Sequence, residues 1–503
     1  MGLRIKRRAE CWQANRGAKS GVMRLSDVLP ADIELPAGAA DIQVTGITAA
    51  SAAVGPGAIF AGLPGTKVDG ASFVADAIAR GAAAIVIGKN KGVTVPPGVA
   101  LIEVDNPRAA LAKIAAKLSG GQPACAVAVT GTSGKTSVAD FTRQIFTALG
   151  HSAASIGTIG IVKPGGAVYG SLTTPDPVTL HATLAALADE GVTHIAFEAS
   201  SHGLDQHRLD GVELSAAAFT NLGRDHMDYH PTVEAYLDAK LRLFTELLPP
   251  GKPAVINADG ACAMEVMAAA NARGHRVLTV GAQGDTLKCT SVKREGFRQV
   301  IGVVADGKEY SVDLPLVGAY QVENALVAAG LAIAVGEQTG AVLNALAGLK
   351  GVPGRLEIIG ERNGGLAIVD YAHKPEALAA ALDGCRPFAT GRLISVFGCG
   401  GDRDKGKRPI MGRISIDRAD ITIVTDDNPR SEQPAQIRKE ILAGAIGAQE
   451  IGDRAEAIST AVKMMMPGDV VLVAGKGHET GQIIGDRIVP FSDHDEIRRA
   501  LAS

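Results

Sequence analysis

An apolar run, ACAVAVTG, leads through a turn of glycine and small polar residues into KTSVADFTRQIFTALG. There Val138, Phe141, Ile145 and Leu149 recur at helical spacing and Gly150 stops the pattern. A run apolar at nearly every residue is a strand covered on both faces. Such a strand, joined at once to an amphipathic helix, points to a parallel sheet with crossover helices. The alternation continues downstream: THIAFEAS, AAAFTNL and KPAVINADG are separated by helical stretches. AIVDYAH, LISVFGCGG, ITIVTDDNPR and VVLVAGKGHE follow, each an apolar run ending in polar or glycine residues. In a doubly wound sheet, ligand groups gather at such carboxyl ends.

A chain of 503 residues exceeds what one hydrophobic core serves, and three domains are expected. Turn-rich SGGQPA and GVPGRLE mark the boundaries, giving a small α/β domain over 23–121, a central domain over 122–352 and a last domain over 353–503. Residues 1–22 are basic, hold the only tryptophan and lack the apolar core of a secretory signal, so they are read as a disordered extension. With 50 Lys+Arg against 53 Asp+Glu there is no basic field for nucleic acid or a membrane surface, and a small-molecule partner is expected. Six scattered cysteines without a C-x-x-C fit reduced thiols in the cytoplasm, and no apolar run approaches the ~20 residues a membrane helix needs.

The turn reads Gly131, Thr132, Ser133, Gly134, Lys135, Thr136, with Val129 where the usual phosphate loop carries its first glycine. Backbone N–H groups at the start of a helix attract phosphate; Lys135 can reach the terminal phosphates of ATP, and Thr136 can ligate Mg²⁺. The fold class expected is α/β in three domains, the central one resembling a P-loop ATPase and the last Rossmann-like. Further on, Val233, Tyr236, Leu237, Phe244, Leu247 and Leu248 form the apolar stripe of a helix, and Lys240 lies on it. The plain reading is a lysine that snorkels from the stripe's edge. If buried, its amine is neutral and can add CO₂, becoming an anionic metal ligand. Glu198 closes the strand THIAFE and is a natural Mg²⁺ ligand there. NLGRDHMDYH offers His226 and His230, with Met227 in the glutamate slot of a zinc-protease motif.

The loop TGTSGKT resembles that of the Mur ligases and their folylpolyglutamate synthetase relatives. YLDAKLRLF resembles the segment where Mur ligases carry a carbamylated lysine, so the resemblance implies N6-carboxylysine at Lys240 and catalytic roles for Lys135, Lys240, His226 and Glu198. Their N-x-x-x-D-H-x-D-x-H pattern implies metal or phosphate binding by His226, and the implied metal set is Thr136, Glu198, His226 and Lys240. SLTTPDP and EASSHGLDQHR resemble signatures of the family's enzymes that add the third amino acid. By that likeness Thr173, Thr174, Ser200, Gln206 and Arg208 hold UDP-N-acetylmuramoyl-L-alanyl-D-glutamate. The family's uridine loop generally reads D-S-R, and here only Ser51 of TAASAAV keeps the pattern.

In the last domain the resemblance implies meso-diaminopimelate as the incoming amino acid. Asp427, Asn428, Pro429 and Arg430 form the matching D-N-P-R, and Arg430 can clamp an extra carboxylate. Arg403, Gly475 and Glu479 match the family's other contacts to that molecule. Asn324 is implied near adenine, Arg355 on phosphate, and Asp370 and His373 near ribose and phosphate. Lys374 stands where the family usually has threonine. The activity implied is ATP- and Mg²⁺-dependent amide formation through an acyl phosphate in peptidoglycan precursor synthesis, by a cytoplasmic monomer. Alternatives are a ligase adding L-lysine to the same nucleotide, one adding glutamate to folate, and a P-loop ATPase that forms no amide bond.

Overall fold

The computed structural model describes residues 21–65, 68–168, 172–223, 225–227 and 229–503. Nearly all of the extension read over 1–22, with Cys11, lies outside the described residues. By its internal contacts the chain divides into two compact units: one of residues 1–279 with 330–337, the other of 280–329 with 338–503.

The first unit opens with a four-stranded parallel sheet in the order Gly46–Thr48, Ala58–Gly62, Ala84–Gly88, Ala100–Val104. Helix Pro107–Ser119 packs on it, started by the Asn106 side chain and Pro107 and ended by Gly120 in the left-handed conformation. A second sheet is built around Cys125–Thr130. Its parallel strands run in the order Ala153–Gly157, His194–Glu198, Cys125–Thr130, Ala216–Phe219, Pro253–Asn257, and the antiparallel hairpin of Gly160–Lys163 and Gly166–Val168 extends one edge. Glu198 lies opposite Val129, and Phe219 opposite Thr130, so these three strands end side by side. Helix Lys135–Ala148 covers this sheet through buried Val138, Phe141, Ile145 and Phe146.

The second unit contains an antiparallel meander, Leu287–Glu295, Arg298–Ala305, Lys308–Leu314, and a six-stranded sheet. The sheet order is Glu357–Arg362, Gly365–Asp370, Val470–Ala474, Leu393–Phe397, Ile421–Val424, Gln449–Glu450, parallel except for its first pair. The α/β class read from the sequence is what the structure has. The meander departs from the expected strand–helix alternation of the middle region. Arg298–Ala305 alternates exposed or half-buried with buried positions, the period-two pattern of a strand with one wet face.

The helix expected to carry Lys240 is α-helical over Val233–Arg242 and widens into a π turn over Leu243–Leu247. Val233, placed on the apolar stripe by periodicity, is 41% exposed: it is the first helical residue, and only the following turns reach the core. Among the described residues no helix is long and apolar enough to cross a membrane.

Candidate active site

Val129, the residue that breaks the usual phosphate-loop pattern, belongs to the strand. It is 1% exposed and paired on both sides, with Glu198 and with Ala218, so the turn begins only after Thr130. Gly131 follows with φ +145°, where a Cβ would stand 1.9 Å from the Thr220 hydroxyl oxygen; glycine is required there. Gly134, at φ 87°, turns the chain into helix Lys135–Ala148. The Asn221 carbonyl and side chain accept from the N–H groups of Thr132 and Ser133, while Thr220 donates to the Ser133 carbonyl. Lys135 Nζ arches over the loop onto the carbonyls of Gly131 and Thr132 at 2.9 and 2.8 Å. A cation held over a turn of this kind is an anion seat.

Lys240 is 1% exposed. Its Nζ donates to the Gly131 carbonyl at 2.7 Å and lies 4.2 Å from the centre of the Tyr236 ring, whose hydroxyl meets Thr132 Oγ1 at 3.1 Å. Burial, reinforced by the neighbouring charge of Lys135, brings this ammonium down from its ordinary 10.5 to about 6. At neutral pH the amine is therefore mostly uncharged and nucleophilic.

Glu198, 2% exposed, ends its strand with Oε1 accepting from the Thr158 N–H at 2.6 Å. Gly157 makes room for it, since a Cβ there would lie 2.1 Å from that oxygen. His226 is held in the left-handed region at φ 56°, with its ring 4.7 Å from that of His202 and 6.2 Å from that of Tyr236. Thr136 is buried at the helix start. A buried carboxylate, a hydroxyl and a lysine amine able to carry CO₂ are, by their chemistry, donors of the oxygen-rich kind that Mg²⁺ takes.

Thr174, Ser200, Gln206 and Arg208 form one hydrogen-bonded network. Thr174 Oγ1 donates to the Glu198 carbonyl at 2.8 Å and lies 3.0 Å from Ser200 Oγ, which caps helix Ser201–Asp205. Arg208 donates to the Thr174 carbonyl and to Gln206 Oε1. Thr173 joins through Thr158 at 3.1 Å. Gln206 and Arg208 also line a cavity of about 510 Å³ with Thr48, Ala50, Arg108 and Asp176. Ser51 does not line it: its hydroxyl bonds the Asp76 carboxylate instead. Arg108, which the sequence reading passed over, does line it, at the second position of the helix that Asn106 and Pro107 start.

In the second unit, Asn324 bonds Gln321, whose amide reaches the Arg355 carbonyl at 3.2 Å. Asp370 is buried, with its two oxygens accepting from the N–H groups of Leu356 and Ala372; it braces the turn after Arg355, and burial raises its carboxyl. His373 Nδ1 meets the Tyr371 carbonyl, and burial lowers its imidazole. The carboxyl ends of four strands surround a cavity of about 860 Å³ lined by Arg403, Asp427, Asn428, Arg430, Gly475 and Glu479, and also by His373, Lys374, Glu376 and Lys407. Pro429 does not line it; its carbonyl packs where Gly401 leaves no Cβ, 1.9 Å from where one would stand.

Behind the cavity is Lys476, missed by the sequence reading although it stands between two glycines directly after a buried strand. Fully buried, it donates to Asn428 Oδ1 at 3.1 Å and Glu479 Oε2 at 2.8 Å, and Asn428 in turn donates to Glu479. Arg430, at φ 51°, is fixed by bonds to the Gly401 and Ile483 backbones. The lining thus carries cations and carboxylates facing one small volume.

Three family models match: Mur ligase family, catalytic domain, over residues 43–118; Mur ligase middle domain over 129–332; and Mur ligase, glutamate ligase domain over 354–477. The chain belongs to the Mur ligase family. Its relatives narrow the class. The UDP-N-acetylmuramoyl-L-alanyl-D-glutamate--2,6-diaminopimelate ligase of Bradyrhizobium diazoefficiens is 58% identical over 487 residues, 96% of this chain and 99% of that protein. The protein of the same name from Brucella melitensis is 57% identical over 482 residues, again 96% and 99%. A solved structure of a UDP-N-acetylmuramoyl-L-alanyl-D-glutamate--2,6-diaminopimelate ligase superposes with a TM-score of 0.73 at 33% identity, covering 96% of this chain and 99% of that one. A folylpolyglutamate synthase of Mycobacterium tuberculosis shares the fold, with a TM-score of 0.57 at 21% identity over 70% of this chain and 88% of that one.

Proposed function

We propose that this chain joins meso-2,6-diaminopimelate to UDP-N-acetylmuramoyl-L-alanyl-D-glutamate at the expense of ATP, in peptidoglycan precursor synthesis. The observation that carries this reading is the second unit's cavity, where Arg403 and Arg430 face a small volume together with Asp427 and Glu479. A molecule bearing two carboxylates and two ammonium groups matches that lining; L-lysine, lacking the second carboxylate, leaves a guanidinium unpaired.

The γ-carboxylate of the D-glutamyl residue attacks the terminal phosphorus of ATP, ADP leaves, and the acyl phosphate is opened by the acceptor's amine with release of phosphate. Phosphoryl transfer demands positioning and charge neutralisation rather than a protein nucleophile. The Gly131–Gly134 turn, once the Thr132 and Ser133 N–H groups let go of Asn221, and the amino end of helix Lys135–Ala148 seat the phosphates, and Lys135 supplies positive charge. Thr136, Glu198, His226 and Lys240 as N6-carboxylysine are the proposed Mg²⁺ ligands; bound there, the ion offsets charge on the transferring phosphoryl group. Asn324, Arg355 and His373 serve ATP, with Asp370 shaping the turn. Thr173, Thr174, Ser200, Gln206 and Arg208 hold the nucleotide-linked dipeptide, and uracil recognition falls to the Thr48–Ala50 stretch and Arg108 rather than Ser51.

In domain terms, 23–121 serves the UDP moiety, 122–352 ATP, and 353–503 the amino acid. A cytoplasmic monomer is the proposed working unit. Phosphate release with UDP-N-acetylmuramoyl-L-alanyl-D-glutamate and ATP tests the reading: meso-diaminopimelate should support turnover at least ~100-fold better in kcat/KM than L-lysine or L-glutamate. Equal turnover with L-lysine, or ATP hydrolysis that needs no acceptor, overturns it.

A further inference from the structure

At the amino ends of the central strands, away from the phosphate loop, two histidines and a carboxylate converge. His151 lies between helix Lys135–Ala148 and strand Ala153–Gly157, His194 opens strand His194–Glu198, and Glu337 follows helix Ala319–Ala334. One ligand atom from each lies within 4.8 Å of the other two, and all three side chains are half-buried within the first unit. His151 Nε2 is 2.8 Å from Glu337 Oε1, and the two imidazoles lie face to face with centres 3.9 Å apart and planes 33° from parallel. His194 and Glu198 are the two ends of one strand, which puts this cluster ~13 Å from the candidate magnesium ligands at about 3.3 Å per residue.

We infer that His151, His194 and Glu337 form a binding site for a borderline divalent transition ion, Zn²⁺ foremost, separate from the ligase centre. Two imidazoles and a carboxylate are the donor set of three-ligand zinc sites that leave a fourth position to water, whereas Mg²⁺ prefers oxygen donors throughout. Orientation supports it. Thr193 Oγ1 lies 3.2 Å from the Ser152 carbonyl, which can only accept, and 2.9 Å from His194 Nδ1. With the hydroxyl hydrogen on that carbonyl, Nδ1–H donates to Thr193, leaving the Nε2 lone pair for a metal. Phe146, 4.7 Å from His194 and 6.1 Å from His151, gives the site an apolar wall. On binding, the ion takes the place of the proton shared between His151 and Glu337. It then ties residues 151 and 194 to residue 337, a clip across a long stretch of chain that stabilises the folded state by mass action.

The test is Zn²⁺ titration of the chelator-treated full chain against a chromophoric indicator, with ATP and Mg²⁺ absent. The wild type should bind one equivalent that His194→Ala and Glu337→Gln each weaken by ~100-fold, and that Thr193→Val, which leaves the ligands in place, weakens ~10-fold or more. Co²⁺ in place of Zn²⁺ should give visible absorption bands of a low-coordinate site, lost in the ligand variants. Zn²⁺ should raise the melting temperature of the wild type more than that of any variant, and the variants' ligase turnover should stay at the wild-type level. Identical Zn²⁺ affinity and Co²⁺ spectra in wild type and folded variants, or no wild-type binding below millimolar Zn²⁺, would overturn the inference.

Discussion

At the scale of single residues, the proposed chemistry turns on a lysine denied its charge. Lys240 is enclosed beside the Gly131 carbonyl, and its proton affinity falls to about 6 because burial penalises the ammonium. Between that value and its ordinary 10.5 the unfolded chain binds the extra proton, so stability contributed through this residue rises with pH across the window and is lowest in acid. In bicarbonate-free buffer the melting temperature of the wild type should therefore fall more between pH 8 and pH 6 than that of Lys240→Met, as followed by circular dichroism. Lys240→Ala should lose nearly all turnover and regain part of it with added short-chain carboxylates; full activity without them would remove the carbamate from the mechanism. Gly157 has an equally local duty. Gly157→Ala places a methyl group 2.1 Å from Glu198 Oε1, and the Mg²⁺ concentration for half-maximal activity should rise ~10-fold or more with little change in folding.

At the scale of elements, loops hung from strand ends gather the second unit's cavity, and Lys476 ties two of them together. Lys476→Met takes from Glu479 the buried cation it is bonded to, so the KM for meso-diaminopimelate should rise ~10-fold or more while kcat for the acceptor-saturated enzyme changes less. The strands were legible because continuous apolar runs such as VVLVA and LISVF are covered on both faces, and the turn into helix Lys135–Ala148 because its glycine and lysine spacing answers to one geometry. The meander over 287–314 escaped because only KEYSVDL alternates in residue type; in RQVIGVVA the alternation is of burial, which only the pairing of the strands reveals. Ser51 and Asp370 escaped for another reason: a motif position names a residue type, whereas the partner of its side chain depends on chain distant in sequence. Ser51 is taken by Asp76, and Asp370 by two backbone amides. Lys476, between two glycines after a buried strand, offered a signal that only its burial makes decisive, while Arg108 carried none and is picked out by a cavity wall.

At the scale of the whole molecule, the chain folds as two compact units, and each holds a cavity of its own. Calorimetric unfolding should then depart from a single two-state transition. UDP-N-acetylmuramoyl-L-alanyl-D-glutamate should raise the transition of the first unit and meso-diaminopimelate that of the second; both ligands shifting one transition alike would contradict this. The near balance of charge over 503 residues fits small substrates better than a polyanion. On the proposed reading, the sheet of the second unit is buried scaffold, and only the loops beyond its strands line the cavity that takes the incoming amino acid. Anyone wishing to feed this catalyst an unfamiliar building block would transplant those few loops and leave the framework, the triphosphate grip and the sugar-nucleotide seat as they stand.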